Sequence, residues 1–153
     1  MPARPAYTLS INGIRAFLQT YRQRFGTSRV VDLTMYDEDV IVDVPVQDKS
    51  RQAGWLYRRG SWSSFGGVRA TFPGAQAVNT KQLDVPALVR NIRRARATLS
   101  VRTPAQTYVI LRSIRNVDVV PSVDIHLVNA FRESGYLATT LDGRVEKAFP
   151  NTR

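Results

Sequence analysis

His126 is the single histidine of the 153 residues, and the chain has no cysteine. Those counts remove disulfides, thiolate nucleophiles, cysteine-ligated zinc, iron–sulfur clusters and any site built on paired histidines. What remains for proton transfer is Asp124 with His126, two apart in a segment, 123–131, whose alternation predicts a strand, so both side chains point to one face. A histidine oriented by a carboxylate is part of a general-base arrangement. No Gly-x-Ser-x-Gly elbow, Lys-Ser/Thr phosphate loop or dinucleotide fingerprint accompanies it, so the pair reads as a polar surface or interface pair. No catalytic residue is assigned, and the expectation is a protein that is not an enzyme. Asp37-Glu38-Asp39 offers oxygen ligands for a hard cation, but three consecutive acids in a strand-to-strand turn read as solvated, so neither metal nor cofactor is expected.

The densest aromatic stretch runs from Gly54 to Gly67 and includes Trp55, Tyr57, Trp62 and Phe65, with Arg58 and Arg59 among them. Aromatic anchors lose little entropy on burial and dominate protein-binding surfaces, while arginine beside them adds stacking and anion contacts. The same rings can equally close a sheet end or pack as core. The alternation assigns a face: if Val31, Leu33, Val40, Val42, Val44, Leu56, Val123, Ile125, Leu127, Leu137 and Leu141 lie under helices, the opposite face carries Asp32, Thr34, Tyr36, Ile41, Asp43, Trp55, Tyr57, Asp124, His126 and Tyr136. The expected partner-binding set is therefore Tyr36, Trp55, Tyr57, Arg58, Trp62, Asp124, His126 and Tyr136.

Twenty-two basic against 12 acidic residues leave a net charge of +10, which invites a nucleic-acid or anionic-membrane partner. The surplus is spread along both halves without a basic tail, and its bias toward Arg over Lys would suit a GC-rich, actinobacterial coding sequence. No specific nucleic acid is expected. The one dense cluster, Arg90, Arg93, Arg94 and Arg96, shares a segment with Leu88, Ile92, Ala95 and Leu99 at helical spacing. It reads as a solvated helix face or, alternatively, as an anion-binding surface, with an anionic membrane as the partner if the full-length protein is anchored.

These residues must be positioned by ordinary elements. A first helix is predicted from about Asn12 to Phe25, capped by Ser10 or Asn12, striped by Ile14, Phe17, Leu18 and Tyr21, and stopped by Gly26. Strands are predicted at 29–36, 40–44, 52–58 and 62–65, then a Gly- and Pro-containing connection. Asp84 caps a second helix from Val85 to about Leu99, with Pro86 in its first turn and Pro104 ending the region; strands follow at 107–114, 123–131, 135–141 and 144–149. Gly54-Trp55-Leu56, Gly60 and Phe65 correspond in order to Gly135-Tyr136-Leu137, Gly143 and Phe149. The expectation is one α+β domain over 1–153 made of two helix-plus-four-antiparallel-strand repeats, 8–66 and 83–150, joined by 67–82, with both helices on one face of a continuous or adjoining sheet.

A duplicated unit of this kind, with Tyr136-Leu137 leading through Asp142-Gly143 into a last strand, resembles the tandem-repeat fold of the beta-lactamase inhibitor protein family and the related PepSY and SmpA-like envelope modules. The resemblance implies a non-enzymatic, extracytoplasmic binding or sensor module; the inhibitor's disulfides have no counterpart here. A cystatin-like or NTF2-like small-ligand domain, its Trp-rich strands lining a cavity, is the alternative. No window approaches the roughly 18 apolar residues of a membrane span, and Met1-Pro2-Ala3-Arg4 lacks a signal peptide's apolar centre, so the chain is expected to be soluble, as a domain excised from an envelope protein.

Overall fold

The computed structural model describes residues 7–46, 50–103, 105–115 and 118–152, so the expected stop at Pro104 lies outside them. Two helices and ten strands make an α+β fold: α1 (Ile11–Phe25), β1 (Arg29–Val30), β2 (Asp32–Met35), β3 (Asp39–Pro45), β4 (Arg51–Arg58), β5 (Ser61–Ala70), β6 (Val78–Asn79), α2 (Val85–Thr98), β7 (Ala105–Arg115), β8 (Asp118–Asn129), β9 (Ser134–Thr139) and β10 (Val145–Phe149). One antiparallel sheet of eight strands runs in the order β10-β9-β8-β7-β2-β3-β4-β5, and β1 pairs with β6 in a separate two-stranded ribbon.

Local chemistry sets the helix ends. Ser10 Oγ accepts from Gly13 N at 3.0 Å, and Gly26, at φ 69°, closes α1 in the left-handed conformation that glycine tolerates best. Asp84 accepts from Ala87 N at 3.0 Å and starts α2 with Pro86 in the first turn. Arg59 and Gly60, both at positive φ, form the two-residue turn that joins β4 to β5 with the twist a hairpin needs.

Four expectations change, one of them the strand expected at 123–131, which runs from Asp118 to Asn129. The 29–36 segment breaks at Val31, whose N–H donates to Asp43 O, so that β1 leaves the main sheet for β6. β5 continues well beyond Phe65 through Gly66 and Gly67, because a register shift opposite Gly54 accommodates the glycines and lets pairing resume at Val68. The connection is correspondingly shorter, and it contains β6 and a single 3₁₀ turn, Thr80–Gln82.

Alternation places Leu33, Met35, Val40, Val42, Val109, Leu111, Ile125 and Leu137 on one sheet face, where they merge with Ile14, Phe17, Tyr21, Leu88 and Ile92 of the helices into one buried core. Direct cross-strand partners stay on the same face: Leu33 sits between Val42 and Leu111, and Ile125 between Val109 and Leu137. No helix among the described residues is long and apolar enough to cross a membrane.

Candidate functional site

The Trp-rich strands face the core, which corrects the assignment of Trp55 and Tyr57 to the opposite face. Trp55 pairs with Val42 and Tyr57 with Val40, both core residues, so the Gly54-Trp55-Leu56 tripeptide is one residue out of phase with the expectation and Leu56 takes the other face. Tyr57 is buried, and Trp62 packs 4.8 Å from it, 5.9 Å from Phe17 and 5.0 Å edge-on from Phe25. Trp55 lies 5.7 Å from Phe25, with the Arg24 guanidinium 5.6 Å from its ring. Phe17 and Phe25 thus pack directly against the rings of these strands. A cavity of about 210 Å³ lies between α1 and Tyr57. Trp62→Ala should cost about 2–3 kcal/mol in urea unfolding, somewhat below a fully buried indole; a loss under about 0.5 kcal/mol would return the indole to the surface.

The same phase shift separates the two tripeptides matched in sequence. Trp55 joins the core row, whereas Tyr136 pairs with His126 on the other face. The remaining expected residues divide. Arg58 is held by Asp39, with Nε and Nη2 each 3.0 Å from a carboxylate oxygen. Arg90, Arg93, Arg94 and Arg96 are exposed along α2, with Arg96 reaching Thr107 Oγ1 at 3.2 Å. Among the described residues no three His, Asp or Glu side chains come together as a metal site would require.

Tyr36, His126 and Tyr136 do converge, on the face away from the core. Tyr108, His126, Tyr136 and Phe149 occupy directly opposed positions on β7, β8, β9 and β10. Their ring centroids are 4.8, 4.8 and 4.3 Å apart and the planes are within 18° of parallel. Neighbouring strands lie about 4.7–4.9 Å apart, so rings standing upright at opposed positions stack face to face along the hydrogen-bonding direction. Tyr36, just after β2, extends the row at 5.7 Å from Tyr108, and the Lys147 ammonium sits 4.8 Å from the Phe149 centroid at the far end. The result is a half-buried ladder of five rings. Tyr108 and Phe149 were absent from the expected set, although alternation along 107–114 puts Tyr108 on this face; the stack itself depends on register.

Inside the ladder His126 is a neutral ring. Burial, and secondarily the Arg112 guanidinium, pull its pKa down to about 4, and its Nε2 is buried with no hydrogen-bond partner. Asp124, on the same strand, is buried. An imidazole sandwiched between two tyrosines and uncharged at neutral pH adds stacking surface.

A second cluster borders the ladder. Asp32 stands opposite Asp43 on β3 and opposite Arg112 on β7. Arg69 reaches across from β5 to Asp43 at 2.6 Å. It passes close to two glycines: a Cβ on Gly54 would stand 3.2 Å, and one on Gly66 2.8 Å, from Arg69 Nη1, the movable end of that side chain. At Gly54 that Cβ would also stand 1.9 Å from Phe65 O, a backbone atom that cannot yield cheaply. Gly54→Ala should therefore destabilise by about 2 kcal/mol or more, measured by chemical denaturation. Burial, with Asp43 adding to it, raises the Asp32 carboxyl to about 6, so it exchanges a proton near neutral pH. Asp32, Arg69, Arg112, Ser113 and Phe72 border a cavity of about 440 Å³.

Comparison with family models, with curated proteins and with solved structures finds no match to this chain.

Proposed function

We propose that this chain is a non-enzymatic binding or sensor module of the cell envelope that engages a protein partner through the ring-bearing sheet face. The single observation that supports it is the ladder from Tyr36 to Phe149. Five rings aligned across β7–β10 and the end of β2 form a rigid, half-buried platform outside the core. Ordering such a platform costs little at binding, since the rings already restrain one another. The partner surface is therefore Tyr36, Tyr108, His126, Tyr136 and Phe149, with Lys147 at its edge, in place of the Trp55–Trp62 hairpin.

In this reading the two halves are copies of one helix-plus-strands unit with both helices over the core face, as in the tandem modules of the beta-lactamase inhibitor protein and PepSY type. The strand order favours it, because the sheet runs from the last strand of the second half to its first, then from β2 of the first half outward to β5.

The test is a photocrosslinking phenylalanine analogue placed at Tyr136 and, separately, at Trp55, in the protein expressed in its own cells. A defined adduct from position 136, lost when Tyr108 and Phe149 are both changed to Ser and absent from position 55, is the expected result. Equal adducts from both positions, or none, would overturn the assignment.

A further inference from the structure

The cavity between β2, β7, β5 and the segment after β5 is lined by an acid, Asp32, and two bases, Arg69 and Arg112, and the two guanidiniums act on the Asp32 carboxyl through space. Its volume, about 440 Å³, falls within the roughly 300–1,000 Å³ of small-molecule sites. Of the charged groups around it, Arg69 is already engaged by Asp43 at 2.6 Å. Asp32 and Arg112 are direct cross-strand partners that both line the cavity, yet among the described residues no salt bridge joins them. Arg112 Nε is buried with no hydrogen-bond partner. A buried donor left unsatisfied is costly and calls for an explanation. Phe72, two-thirds exposed at 67%, forms an apolar wall together with Val31, Ala70 and Ala75.

From this geometry we infer that the cavity binds a small zwitterion of the α-amino acid class, its carboxylate on Arg112, its ammonium on Asp32 and an apolar side chain against Phe72. Asp32 would oppose a plain anion, and Arg69 and Arg112 a plain cation; a zwitterion answers both signs. The elevated Asp32 pKa agrees, because a carboxylate closed onto Arg112 would be held down. The inference does not rest on the protein-partner reading: the cavity walls and the ladder share no residue, although Arg112 acts through space on His126.

The experiment is isothermal titration of the full chain with three probes of one carbon skeleton: L-leucine, 3-methylbutylamine, which lacks the carboxylate, and 4-methylpentanoate, which lacks the amine. L-leucine should bind saturably and at least about tenfold more tightly than either, since each omits one charge-assisted contact. Asp32→Asn and Arg112→Gln should each weaken L-leucine about tenfold or more. Phe72→Ala, at an exposed position that leaves folding intact, should weaken it several-fold. Three probes that bind alike, no saturable binding of L-leucine, or L-leucine affinity unchanged in Phe72→Ala would each overturn the inference, whatever the fate of the buried variants.

Discussion

Phe17→Ala should remove about 3–5 kcal/mol of folding stability, the largest loss expected from any single truncation of α1. Phe17 is almost wholly buried and meets four rings, Tyr57 at 5.5 Å, Tyr7 and Trp62 at 5.9 Å, and Tyr21 at 6.4 Å. Truncation leaves a void lined by rigid aromatics that cannot collapse into it, which puts the cost toward the upper end of the range. Domains of this size hold only about 5–15 kcal/mol in total, so thermal unfolding should shift down by roughly 6–20 °C. Tyr136→Ala, on the other sheet face, should cost less than half as much. Equal losses would mean that the ring ladder is a second core.

The second expectation concerns acid, where two groups pull in opposite directions. His126 has its folded pKa lowered to about 4 from 6.5, so the unfolded chain takes the proton first, and stability falls as pH drops from 6.5 toward 4. Asp32 has its folded pKa raised to about 6 from 3.8, so the folded chain takes the proton first, and stability rises as pH drops from 6 toward 4. At about 1.4 kcal/mol per unit the Asp32 contribution is about 3 kcal/mol, while that of the half-exposed His126 is reduced by solvent screening to about 1–2 kcal/mol, so the two partly cancel. The variants separate them. Relative to wild type, His126→Gln should gain about 1–2 kcal/mol between pH 7 and pH 4, while Asp32→Asn should lose about 3 kcal/mol. Urea midpoints at several pH values read both; parallel pH profiles for the two variants and wild type would contradict the opposed burial of these groups.

Much of the fold was legible because its elements are strongly periodic. The caps at Ser10 and Asp84, the stop at Gly26 and the alternation of 31–35 and 40–44 placed both helices and those strands within a residue or two, whereas the alternation of 123–127 found β8 but not its start, five residues earlier at Asp118. What failed was phase. In 52–58 alternation alone sets Ala53, Trp55 and Tyr57 against Gln52, Gly54, Leu56 and Arg58 and so favours Trp55 for the core. Taking Leu56 as the core residue ran against that pattern, and the packing of Trp55 against Phe25 agrees with the pattern. Gly66 and Gly67 looked like the start of a loop because a bulge and a chain break use the same residues. His126, Tyr36 and Tyr136 were visible as one-face residues, but their stacking with Tyr108 and Phe149 comes from the register of four strands, which no local pattern encodes. The Asp32–Arg112 juxtaposition is hidden for the same reason, since it joins distant halves of the chain.

That junction orders events in time. Every other neighbouring pair in the eight-stranded sheet is joined by consecutive strands, or nearly so, whereas β2 meets β7 through partners 74 to 80 positions apart, from Met35–Val109 to Asp32–Arg112. Closing a loop of that length costs entropy that only a short, four-residue strand is present to recover. The hairpins on either side are therefore expected to form first and the β2–β7 seam to zip last, with unfolding under force or denaturant starting at the same place. Because Asp32 and Arg112 sit on that seam, the charge pair that borders the cavity comes into existence only at the final step of folding.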